Sequence, residues 1–135
     1  MANESGRREE KIGMHTMVFE PPDVCTLTFN GDVEGDEQSR FGQFLRDLPG
    51  KVYLIVSAGG LGSYTTAAKK AIKDVPPAQA VIIHGASRQM QIVLSILNKV
   101  YMMVNLGTEI PLSFVADEEA ARGWVEFHRK SQKAK

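Results

Sequence analysis

The sequence has one cysteine, one tryptophan and no long apolar run, and its charges cancel. A single thiol, Cys25, excludes an intrachain disulfide and any zinc site built from cysteines. No stretch reaches the ~18 apolar residues of a membrane-spanning helix. Sixteen basic and sixteen acidic residues leave no overall field to attract nucleic acid or an anionic bilayer. Neither G-x-G-x-x-G nor G-x-x-x-x-G-K-[ST] occurs, so both phosphate-cradling fingerprints of nucleotide enzymes are missing. There is no G-x-S-x-G elbow, and the acidic run Asp32–Glu37 lacks the EF-hand calcium pattern. These absences predict a cytoplasmic, non-enzymatic protein with no metal or cofactor, no nucleic-acid partner and no membrane span.

What is present is an ordinary globular composition: 135 residues, 43% apolar, 24% charged. A chain of roughly 150 residues buries about 70% of its unfolded surface without a disulfide or metal. Residues 1–12 are polar and aperiodic and are expected to form a disordered tail. Residues 13–128 are expected to form one domain, and residues 129–135, with Arg129, Lys130, Lys133 and Lys135, a basic tail.

The hydropathy pattern predicts ββαβαβαβα. His15–Phe19 and Val24–Asn30 are rich in β-branched and aromatic residues on either side of Glu20-Pro21-Pro22-Asp23, as in a hairpin, and the second alternates apolar and polar residues. Cys25 falls on the apolar side of the second strand and reads as core. Phe41, Phe44, Leu45 and Leu48 make one stripe of a helix that Pro49-Gly50 ends. Lys51–Val56 and Ala80–Ile83 are near-continuous apolar runs, typical of strands covered on both faces. A second helix is expected from Ser63 to Pro76. A third carries Met90, Val93, Leu94 and Leu97, widened by Ile92 and Ile96. Ile110–Val115 reads as the last strand, with Pro111 suggesting an edge that could pair with a second copy. Asp117 should cap the last helix. The fold class is therefore α/β: a mixed, mainly parallel sheet with helices packed on it.

In open α/β sheets, ligands and partners meet the loops at the carboxyl ends of the parallel strands. Those loops hold the candidate residues. Gly59, Gly60 and Gly62 let backbone or an anion approach closely, while Ser63, Tyr64, Thr65 and Thr66 crowd hydroxyls onto a helix start. Two readings stay open: a strand-to-helix turn with Ser63 as its cap, or a binding or modification surface. His84, Ser87 and Arg88 form a secondary loop. A triad would need an acid behind the histidine and an oxyanion hole, and neither is visible, which leaves a solvated loop as the alternative.

Element order and the ending, Ile110–Val115 followed by Glu118-Glu119-Ala120 and Trp124-Val125, resemble the STAS domain, the anti-sigma-factor-antagonist family that includes SpoIIAA-like proteins. The resemblance implies a regulatory module that docks a protein partner, an anti-sigma factor or kinase-like protein, and is switched by phosphorylation of a serine after an aspartate. Laid on that pattern, Ser63 falls near the aspartate and Tyr64 at the phosphorylated position, with Thr65 and Thr66 beyond. The Asp-Ser pair itself is absent. The SpoIIAA-like branch also resembles lipid-binding folds, which implies a small apolar ligand as the other reading.

Overall fold

Strand-forming sequence near the start of the chain pairs locally before any helix intervenes. The structure, a computed structural model, describes residues 6–105 and 110–133. β1 (Arg8–Ile12), β2 (His15–Glu20) and β3 (Val24–Thr28) form an antiparallel meander, joined by the turn at Pro21–Asp23. The short β4 (Gly31–Val33) leads into α1 (Gly35–Arg46), whose first turn carries Asp36 and Glu37 at the positive end of the dipole. β5 (Tyr53–Ser57) then lies parallel to β3, and the short β6 (Leu61–Tyr64) lies parallel to β4. After α2 (Thr66–Ala71), β7 (Ala80–His84) adds to β5; after α3 (Arg88–Val104), β8 (Leu112–Val115) adds to β7. α4 (Glu118–Lys133) ends the described chain, its N-terminus capped as expected by Asp117, whose Oδ1 accepts from Ala120 N at 2.8 Å.

The main sheet runs β1-β2-β3-β5-β7-β8, and β4-β6 is a separate two-stranded sheet. β8 is the expected edge, with Pro111 just before it. The apolar runs predicted as doubly covered strands, β5 and β7, are the central ones. One of their faces joins Phe41, Phe44 and Leu45 of α1, Ala68 of α2 and Leu94 of α3. The other puts Tyr53, Ile55, Ala80 and Ile82 against Ala121 and Val125 of α4.

Two expected boundaries are corrected. Residues 1–12 are not a tail throughout, because Arg8–Ile12 is a sheet strand with Ile12 fully buried. Its polar residues hide the alternation: Arg8 lays its guanidinium over the Phe44 ring, 5.1 Å from the centroid, and Glu10 pairs with Arg40. At the other end, Arg129 does not begin a tail. It sits inside α4, bonded to Asp23 and Glu126 and 5.7 Å from the centre of the Tyr53 ring. A residue counted as spare charge is a clasp between the last helix and the first hairpin.

Candidate functional site

The glycine-rich segment is a strand where a helix start was expected. Gly31 N donates to Gly60 O at 2.8 Å, and a Cβ on Gly60 would lie 2.6 Å from Phe29 O. A Cβ on Gly62 would overlap the Asp32 carboxylate. Side chains at these two positions would collide with the Phe29–Asp32 stretch, so glycine is needed at both for β6 to lie against β4. Gly59 meets Gly85 of the neighbouring loop backbone to backbone. Ser63 is not the helix cap: its N–H and hydroxyl both donate to Asp32 Oδ1, at 2.9 and 3.2 Å. The cap is Thr65, whose Oγ1 accepts from Ala68 N at 3.1 Å. Tyr64 is half-buried, its ring edge-on to Phe29, and burial raises the pKa of its hydroxyl. Thr66 stays exposed.

In the secondary loop, Ser87 caps α3 by accepting from Met90 N at 3.1 Å, and Arg88 opens that helix in solvent. His84, half-buried at the end of β7, makes no hydrogen bond to Ser87 among the described residues. The two are near in sequence without forming a nucleophile–base pair. Cys25 is fully buried, and burial, helped by the Glu20 carboxylate, pushes its thiol up to about 12. It has no thiolate to offer near neutral pH.

Two features were not read from the sequence. The first is His15, 1% exposed and held edge-on to Phe29 and Phe41. Its Nδ1 accepts from Asn30 N at 3.0 Å, which leaves Nε2–H to donate to Asp32 O at 3.0 Å, with Glu37 Oε1 3.3 Å away. Because Asp32 holds Ser63, this buried imidazole anchors the glycine-rich strand. Its place in the alternation His15, Met17, Phe19 was the available signal.

The second is the outer side of α3. Leu94 and Tyr101 face the core, but Ile92, Ile96, Val100 and Met103 repeat at helical spacing and are 47–73% exposed. Beside this stripe, Thr66, Lys69, Lys70 and Lys73 line a groove with Leu97 and Val100. From α2 through α3 the chain carries five cations (Lys69, Lys70, Lys73, Arg88, Lys99) against one acid, Asp74. In a neutral protein, Lys69, Lys70 and Lys73 thus stand together beside an exposed apolar stripe. Under it, between the sheet and α1–α3, lies a cavity of about 150 Å³.

No protein-family model and no curated protein matches the chain. Its structure does match solved ones. An uncharacterised protein of the DUF3478 family from Shewanella loihica PV-4, described as having a SpoIIAA-like fold, superposes with a TM-score of 0.57 at 14% identity, over 92% of this chain and 97% of the other. The chain has a SpoIIAA-like fold. The anti-sigma factor antagonist SpoIIAA in its unphosphorylated form superposes with a TM-score of 0.50 at 11% identity, over 89% and 97% of the two chains. The mixed, mainly parallel sheet and the four α-helices among the described residues agree with the fold class expected from the sequence. Among the described residues no helix is long and apolar enough to cross a membrane.

Proposed function

We propose that the chain is a non-enzymatic binding module that docks an acidic, amphipathic segment of a protein partner on the α2–α3 face. The observation that carries this reading is the exposed Ile92-Ile96-Val100-Met103 stripe beside a lysine-lined groove. Contiguous exposed apolar surface rimmed by charge is what docking sites present, and the lysine rim selects an acidic partner. The fold likeness to SpoIIAA, an anti-sigma factor antagonist, supports a regulatory role of this kind. Of the surface expected from the sequence, the glycine-rich loop and the helix that follows it, this reading keeps the helix and adds α3. Gly60, Gly62 and Ser63 are committed to β4, whereas Thr66 sits at the rim of the groove.

The test compares wild type with Ile92→Ser/Ile96→Ser and Lys69→Glu/Lys70→Glu as baits, with quantitative mass spectrometry of what each retains. An acidic partner held by wild type should be lost from both variants. It should also be lost at about 1 M salt, where the screening length falls to ~3 Å. Identical retention by all three baits refutes the surface. Sedimentation of wild type with phosphatidylserine vesicles, in the absence of any such partner, would reassign the face to a membrane.

A further inference from the structure

The cavity between the sheet and α1–α3 carries a second, separate implication. Its wall is mostly apolar, including Leu94, Leu97, Val81 and Ile83, and holds no charged side chain. Among its few polar side chains, Tyr101 is satisfied, donating its hydroxyl to Val75 O at 2.6 Å. Gln38 is not. It is 6% exposed, and its Oε1 has no hydrogen-bond partner among the described residues. Gln38 stands between this cavity and a polar hollow lined by Ser39, Arg46 and Asp74, and folded proteins satisfy roughly 90% or more of such buried atoms, so its orphan acceptor needs an explanation.

We propose that this cavity binds a small neutral amphiphile, an apolar ring or branched chain bearing one hydroxyl, whose O–H donates to Gln38 Oε1. Size, charge and polarity each restrict the ligand. An apolar pocket of about 150 Å³ accommodates one six-membered aromatic ring, so the part of the ligand buried in it has about six to ten heavy atoms. The absence of a charged side chain on the wall excludes an ion, which would be stranded there without a counter-charge. The orphan atom is an acceptor, so the ligand's polar group must be a donor. The proposal does not depend on the α2–α3 docking face, although Ile72, Leu97 and Tyr101 line both the groove and the cavity.

Phenol and benzene are the probes, followed by ¹H–¹⁵N chemical shifts and calorimetry. Phenol should bind saturably, shifting Leu94, Val81 and Tyr64, and benzene should bind about threefold to tenfold more weakly for want of the hydrogen bond. Gln38→Met, with Gln38→Leu in reserve should it not fold, should abolish the preference for phenol while benzene still binds. Val81→Phe should block both probes by filling the space. If neither probe moves these residues at millimolar concentration, the site is refuted. A phenol preference that survives in Gln38→Met refutes the assigned contact. The Lys69→Glu/Lys70→Glu variant should bind phenol like wild type, so loss of docking and loss of the ligand site are read separately.

Discussion

Replacing His15 with alanine tests whether the glycine-rich strand hangs on a buried imidazole. The substitution removes two hydrogen bonds, from Asn30 N and to Asp32 O, each worth about 0.5–1.5 kcal/mol net. It also empties the space between Phe29 and Phe41, whose ring centroids both lie 5.6 Å from that of His15. A void of this kind costs about 2 kcal/mol even where neighbours relax. Together the loss is about 3–5 kcal/mol, a large part of the 5–15 kcal/mol that usually holds a domain folded. Urea unfolding followed by circular dichroism should show it as a lower midpoint with an unchanged slope. His15→Phe separates the two contributions, since it refills the space but cannot pair with either backbone group. It should retain part of the stability, and amide exchange at Ser63 should still quicken because Asp32 has lost its anchor. A cost below about 1 kcal/mol for His15→Ala would refute the reasoning.

Two further outcomes follow from the same geometry. The Cys25 thiol ionises at 9.0 in the open chain and is pushed up to about 12 in the fold, so the unfolded state sheds its proton first. Stability should therefore fall as pH rises from about 9 toward 12, by up to about 1.4 kcal/mol per pH unit for this group. Cys25→Ala should flatten that slope by one proton, and equal slopes in parallel denaturation series would count against the buried, neutral thiol. Thr65→Ala should cost about 1 kcal/mol by uncapping α2, whereas Ser63→Ala leaves the cap intact; thermal melts that rank the two the other way would place the helix start back at Ser63.

The central layer was legible because its physics is written locally. Tyr53–Ser57 and Ala80–His84 are covered on both sides, so nearly every residue is apolar and the run announces itself. The N-cap of α4 was equally plain, since Asp117 precedes two acids. β1 was hidden because one side of an edge strand faces water and its other side uses an arginine stem as cover. β6 was misread because a hydroxyl after glycines serves equally as a helix cap or as a donor to Asp32, and only the position of β4 decides between them. In α3, inward and outward apolar residues share the same periodicity, so Ile92 and Ile96 merged with the buried stripe. Nothing in the spacing told which of them would find a neighbour. The cavity is a deficit of volume among α1, α3 and the sheet, and no local pattern encodes a deficit.

The clasp between α4 and the β2–β3 turn bears on the order in which the molecule assembles. Arg122 reaches Glu20 across 102 positions of sequence, at 2.8 and 3.3 Å, and Arg129 reaches Asp23 across 106. As the chain leaves the ribosome, the β2–β3 hairpin must therefore wait with one side uncovered until the residues between Asp23 and Arg129 have been synthesised. The other side has no such delay, since α1 follows within a few residues. The two layers of this protein should close at different times, and the later one depends in part on Arg129, which reads, in isolation, as one of a spare string of charges.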